Sequence, residues 1–206
     1  MSVLVIVSAL CWLFLVAYQD ARKGVVSNWL TVPPLFLSAL LWLARGSWSI
    51  GLLLAILLIV GEVLDRLHLP AALGVGPAAM VTAILVGGTP QEVSLVLVAW
   101  LCAWAAWTLH LVGGADAKVL MTLVALFPDP ALAALLAAAQ VGWSVYHLVR
   151  RYRGQAIKIA LAGILSRPTE KDLAANGVPL LPAYSAAGAV FFAGKTLIEH
   201  CGLLTW

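Results

Sequence analysis

Charge is the first thing this chain lacks. Of 206 residues only 10% are charged, with nine Asp and Glu against 12 Lys and Arg, while 63% are apolar. With a mean hydropathy of +1.03, there is too little polar surface to clothe a water-soluble globule, and the composition places the chain among polytopic membrane proteins. Cysteine is nearly as scarce. Cys11, Cys102 and Cys201 lie far apart within or at the ends of apolar runs, without the paired spacing of a zinc or redox site, and read as small packing residues. His68, His110, His147 and His200 fall on separate segments, which argues against a histidine-bound metal. No HExxH or GxSxG motif is present, so neither a zinc hydrolase nor a serine esterase is indicated. Low-complexity tracts and internal repeats are missing too, leaving nothing to argue an inverted-repeat transporter. Basic residues are lacking before the first apolar run and follow it instead as Arg22 and Lys23. That order is the reverse of a secretory signal and predicts a retained anchor with its N-terminus outside.

What is present is a succession of apolar runs, at about Ser2 to Tyr18, Trp29 to Ala44, Ile50 to Leu67, Ala71 to Val86, Val93 to Val112, Ala117 to Phe127, Ala131 to Val149 and Tyr184 to His200. The expectation is an all-α, polytopic transmembrane helix bundle of about eight apolar segments, six to eight of them true spans. The sixth run is short for a crossing and must borrow residues from its flanks, or else be re-entrant. With the N-terminus outside, all but two of the 12 basic residues fall in loops on the inner side, the bias expected of cytoplasmic loops. The exceptions are Arg45 and Lys195, and Lys195 is expected to snorkel outward and meet Glu199 four residues on. The whole chain, 1–206, reads as a single membrane domain. Its one long polar stretch, about 150–182, is expected at the cytoplasmic interface, with Gln155 to Leu165 as a surface helix beside a basic cluster that contacts lipid headgroups. Net charge of +3 is absorbed by this topology and gives no reason to expect nucleic acid.

Two acids fall on the same inner face. Asp20 lies just beyond the first run, and Asp116 stands in Gly113-Gly114-Ala115-Asp116-Ala117-Lys118, just before the sixth. An even number of crossings separates them, the condition for meeting. Ionisable groups placed so close to a bilayer core are usually functional. The plainer reading is a glycine turn in which Asp116 caps the next helix. Glu62 and Asp65 form another inner pair, but Arg66 and His68 are near enough to neutralise them, so a surface role is expected. Two carboxyls in a low-dielectric cleft share one proton, so one can act as base on a water while the other acts as acid on a peptide carbonyl, with no metal or cofactor. Gly113 and Gly114 would let an extended strand approach Asp116.

Three motifs in order resemble the aspartic prepilin peptidases of type IV pili and the related archaeal preflagellin peptidases. Asp20 is followed at matching spacing by Arg22, Val26, Ser27 and Asn28, where the family carries an aspartate, a basic stretch and Ile-Pro-Asn. Gly113 to Lys118 match the GxGD motif with its following lysine, Ala115 standing at a glycine position. Pro179-Leu180-Leu181-Pro182 match a Pro-x-x-Pro pattern. The resemblance implies that Asp20 and Asp116 are the catalytic pair of a multi-pass enzyme of the cytoplasmic membrane, with its active site facing the cytoplasm. Its substrates would be prepilin-like or preflagellin precursors, cut behind a short basic leader. Gly113, Gly114, Ala115, Lys118, Asn28, Arg22, Pro179 and Pro182 would shape or support the site. The two aspartates are further apart in sequence than the family's two-helix spacing, which an extra helix pair would explain without changing sidedness. Members that also methylate the new N-terminus often carry a cysteine-paired cytoplasmic insertion; lacking it, this chain is expected to be a peptidase without N-methyltransferase activity. Readings from other classes are a transporter or channel with an inner acidic site, and a non-catalytic relative acting in pilus assembly.

Overall fold

The computed structural model of the chain describes residues 3–109, 111–152 and 181–200. Each apolar run becomes a helix: α1 Val3–Lys23, α2 Asn28–Ala44, α3 Trp48–Arg66, α4 Val75–Val86 behind a single 3-10 turn Ala71–Gly74, α5 Gln91–Thr108, α6 Gly114–Leu126, α7 Pro130–Tyr152 and α8 Leu181–His200. There is no strand among the described residues. Three stretches, Leu4–Lys23, Trp48–Arg66 and Gln91–Thr108, are long and apolar enough to cross a membrane; Asn28–Ala44, Ala71–Val86 and Pro130–Trp143 are shorter apolar helices. The surface segment expected at Gln155 to Leu165 and the proline Pro179 lie outside the described residues.

The helices form two groups. In one, α6 packs on α2 and α5, with α3 and α4 completing the layer; in the other, α1 packs on α8 and α8 on α7. The groups meet where α7 and α8 touch α6. Helix α6 is the axis of the fold. At 13 residues it is about 20 Å long, too short for a hydrocarbon core of ~30 Å. It gains Gly114, Ala115 and Asp116 from its N-terminal flank, and its buried residues point to all sides, so it is enclosed by protein.

Tryptophan indoles fasten this axis. Ala125 belongs to the last turn of α6, where carbonyls have no helical N–H to accept, and the Trp42 indole N–H of α2 donates to it at 2.8 Å. Trp100 of α5, fully buried, donates to the Met121 carbonyl at 2.8 Å. At the other end Lys118 Nζ donates to Asn28 Oδ1 at 2.9 Å. Paired at both their starts and their ends, α2 and α6 run in the same direction.

A third indole joins the two groups. Pro33 and Pro34 lie inside α2, and a proline at 34 has no N–H for the carbonyl of Leu30. Trp12 of α1 supplies the missing donor, its Nε1 lying 2.8 Å from that oxygen. Helix α1 stops at Gly24, whose φ of +64° suits a residue without a side chain and whose N–H returns to the Asp20 carbonyl at 2.7 Å, a glycine C-cap. Ser27 then caps α2 by accepting from Trp29 N at 3.4 Å, while its own N–H donates to Gln19 Oε1 at 3.1 Å. A proline at this position could not make the second bond.

Two expectations change and a third gains a partner not foreseen. Cys11 and Cys102 are exposed rather than packed, on outward faces of α1 and α5. Lys195 pairs with Asp129 Oδ2 at 3.1 Å, the loop before α7 presenting a carboxylate within reach; the Glu199 side chain is outside the described ones. Asp116 is not the N-cap of α6, as set out next.

Candidate functional site

Four helix ends converge: the last turn of α1 and the first turns of α2, α6 and α8. Asp20 and Asp116, at 8% and 7% exposure, are the only buried carboxylates among the described residues, and they lie within electrostatic reach of each other. The two residues expected as a pair are thus brought together, although α2 to α5 intervene in sequence.

The N-cap of α6 is Gly113, with φ −66° and ψ 149°. Asp116 sits in the first turn and its carboxyl accepts the Gly113 backbone N–H. This is the return half of a capping box, so part of the plainer reading survives: the acid does serve the helix start. A Cβ built on Gly113 would stand 2.7 Å from Asp116 Oδ2, whereas one on Gly114 would meet Trp107 Nε1 at 3.1 Å. A side chain at 113 would have to displace the Asp116 carboxylate. Ala115 is half-buried in the first turn of α6.

Asp20 is held differently. The backbone N–H of Leu181, at the start of α8, donates to its carboxyl, and Oδ2 is buried with no hydrogen-bond partner among the described residues. Each acid therefore receives a backbone N–H at the N-terminal end of a helix, Asp116 from its own and Asp20 from α8. Such ends carry partial positive charge. Pro182 lies in the first turn of α8, where a missing N–H costs no helical bond.

The expected supporting residues divide. Lys118 and Asn28 meet and tie α6 to α2. Arg22 turns outward, donating to Tyr18 Oη at 2.7 Å with its guanidinium over that ring, and touches neither acid. Glu62 pairs with Arg66 at 2.8 Å on an exposed face, as a surface role requires. A groove of about 340 Å³ runs along the seam of α1 and α8, lined by Phe14, Ala17, Tyr18, Ala21, Pro182, Ser185, Ala186 and Ala189; neither aspartate lines it.

Three residues at the site were not singled out from sequence. Leu181 acts through its backbone. Tyr184, fully buried, donates its hydroxyl to Gln140 Oε1 of α7 at 2.8 Å and lies within the electrostatic reach of Asp116. Nothing in the linear pattern marks a Tyr or Gln inside an apolar run as belonging to a distant acid pair. The one available signal was position, since Tyr184 follows the second proline of the third motif by two residues.

No family model, curated protein or solved structure matches this chain.

Proposed function

We propose that the chain is a membrane aspartic endopeptidase that removes the basic leader from prepilin-like or preflagellin precursors at the cytoplasmic face. The observation that carries this reading is the convergence of Asp20 and Asp116, two buried acids from α1 and α6, with one Asp20 oxygen unpartnered. The three ordered motifs of the sequence add to it. In the proposed reaction the pair carries one proton. The ionised carboxylate takes a proton from water, the resulting hydroxide attacks the scissile carbonyl carbon, and the other carboxyl gives its proton to the carbonyl oxygen. Collapse of the tetrahedral diol breaks the C–N bond, the amine leaves with the proton taken from water, and one diol hydroxyl returns its proton to the carboxylate that had supplied it, restoring the singly protonated pair.

In this reading the polytopic bundle has its N-terminus outside and the convergent helix ends inside, with Arg22, Lys23, Arg66 and Lys118 on the same face as the acids. The apolar helix of the precursor lies in the bilayer and presents its leader junction to the site. No methyl transfer is expected.

One observation favours a second reading, in which the acids bind a cation or relay a proton for transport. Lys118 is engaged by Asn28 and Arg22 by Tyr18, so neither cation occupies the carboxylates. The two readings separate in one preparation. Purified protein in sealed vesicles is given a precursor with a basic leader and followed by mass, and the same vesicles are assayed for proton and sodium flux. Leader removal without flux supports the peptidase; flux that depends on Asp116 without leader removal supports the transporter.

A further inference from the structure

The groove between α1 and α8 has a floor, a rim and a charged end. Phe14, Ala17, Tyr18 and Ala21 on α1, and Pro182, Ser185, Ala186 and Ala189 on α8, line it. Both sets recur at i, i+3, i+4 and i+7, so each occupies one helix face. Ala17 and Ser185 are buried and form the floor, while Phe14 and Tyr18 stand 60% and 63% exposed at the rim. The hydroxyl on the floor is spent within the protein, since Ser185 Oγ donates to the Leu13 carbonyl at 3.0 Å. What remains is an apolar surface suited to hydrocarbon.

Size selects the occupant. The helix from 14 to 21 is about 10 Å long, so a groove of about 340 Å³ has a mean section of about 30 Å². A helix 10 Å across takes up about 80 Å², and one from a precursor or a second copy of the chain would lie outside the groove rather than in it. A single hydrocarbon chain fits inside.

Charge selects what that chain is attached to. Leu4–Lys23 is long and apolar enough to cross a membrane, and Arg22 and Lys23 stand in its last turn, the level at which lipid headgroups lie. Tyr18 connects that level with the groove. Its ring is part of the lining, and its hydroxyl accepts Arg22 Nη1 at 2.7 Å beneath a guanidinium 5.9 Å from the ring centroid. The phenol keeps its own O–H to donate and the guanidinium its other N–H groups, donors that suit a phosphate oxygen. Ala21 in the last turn of α1 and Pro182 in the first turn of α8 line the same groove, so the partial charges of the two helix ends offset each other. Arg22 and Lys23 then set the sign, Asp20 being buried and outside the lining.

We propose that the α1–α8 groove binds an anionic phospholipid, one acyl chain lying along the groove and the phosphate held by Arg22, Lys23 and the Tyr18 hydroxyl. This depends on the chain lying in a bilayer and not on the chemistry of Asp20 and Asp116.

The experiment places the full chain in phosphatidylcholine nanodiscs with a trace of phosphatidylglycerol carrying a diazirine in one acyl chain, or of phosphatidylcholine with the same chain. Peptide mass spectrometry after illumination locates the adducts. They are expected on 14–21 and 182–189, at a yield about fivefold or more higher from the phosphatidylglycerol probe, the preference that one basic residue confers at a membrane surface. Ala186 is exposed, so Ala186→Phe should fill the groove without disturbing the core and remove most of the adduct. Ala138→Phe, at an exposed position of α7, should leave it unchanged. Arg22→Gln combined with Lys23→Gln should bring the two probes to equal yield, and Tyr18→Phe should move them part of the way. Adducts spread evenly over the outward faces of α2 and α4, equal yields from the two probes in wild type, or full adduct in Ala186→Phe would each overturn the proposal. Excess unlabelled phosphatidylglycerol should abolish the adducts. If it does not, while an apolar helical peptide or a higher density of the chain does, the groove belongs to a helix or to a second copy and the proposal fails. Adducts form without proteolysis, so the expected pattern in a protein that cuts no leader would refute the peptidase and leave the lipid site standing.

Discussion

Gly113 and Asp116 are matched so closely that a Cβ on the glycine would lie 2.7 Å from the Asp116 Oδ2 atom. The backbone at 113, at φ −66°, is one that alanine adopts freely, so substitution is opposed by the carboxylate alone. Gly113→Ala is expected to displace the acid and reduce leader cleavage by at least about tenfold, since misplacements near 1 Å can cost a hundredfold. The thermal midpoint in detergent should fall little. Cleavage at the wild-type rate in Gly113→Ala would show that Asp116 need not sit where it does.

Trp12 and Pro34 should be coupled. Trp12→Phe leaves the Leu30 carbonyl without its indole donor and is expected to cost about 1–3 kcal/mol, the penalty of a desolvated acceptor. In a Pro34→Ala background the chain supplies its own N–H, so the same substitution should cost clearly less. Chemical denaturation of the four proteins measures the coupling, and additive effects would contradict this role for the indole.

Lys118 and Asn28 join α6 to α2 beside the acids. Lys118→Met and Asn28→Ala are each expected to lower stability modestly, with a coupling of about 1 kcal/mol because the bond is partly exposed to solvent. Both should lower cleavage, and the double variant should be no worse than the poorer single one. Independent, multiplying losses would place the two side chains in separate roles.

At the opposite end, partial burial alone would raise the Asp129 carboxyl. The hydrogen bonds from Lys195 and the Ala131 N–H, with the charge of Lys195, outweigh it and hold the group below its ordinary value. A carboxyl depressed on folding adds stability above its unfolded pKa, and that stability is lost as pH falls through the folded value. Asp129→Asn should therefore lower the thermal midpoint at neutral pH and flatten its decline on the acid side. The effect should be under about 1 kcal/mol, both side chains being partly exposed. An identical acid limb in the variant would contradict the pairing.

The helices were legible because each is an apolar run bounded by turn residues, and Asp20 and Asp116 were legible as a pair because each follows an odd number of apolar runs. Less legible was what joins them. Helix α6 begins at Gly114 rather than Ala117 because Gly113 caps it and Asp116 returns to that cap, a local exchange that an apolar count does not register. Trp12, Trp42 and Trp100 look like core residues in a linear pattern, yet each indole supplies a backbone carbonyl on another helix. Lys195 meets Asp129, 66 positions away, because tertiary proximity places that carboxylate within reach, and no local spacing reveals it. Tyr184 and Gln140 are polar atoms inside apolar helices, visible as partners only once α7 and α8 are side by side.

The central claim is that Asp20 and Asp116 act together on a peptide bond. The most direct measurement co-expresses a precursor bearing a basic leader with wild type, Asp20→Asn and Asp116→Asn, and reads the precursor mass. Each amide keeps the size of the acid it replaces and cannot exchange the catalytic proton. Leader removal by wild type and none by either variant is the predicted result. Full removal by either variant would contradict the claim.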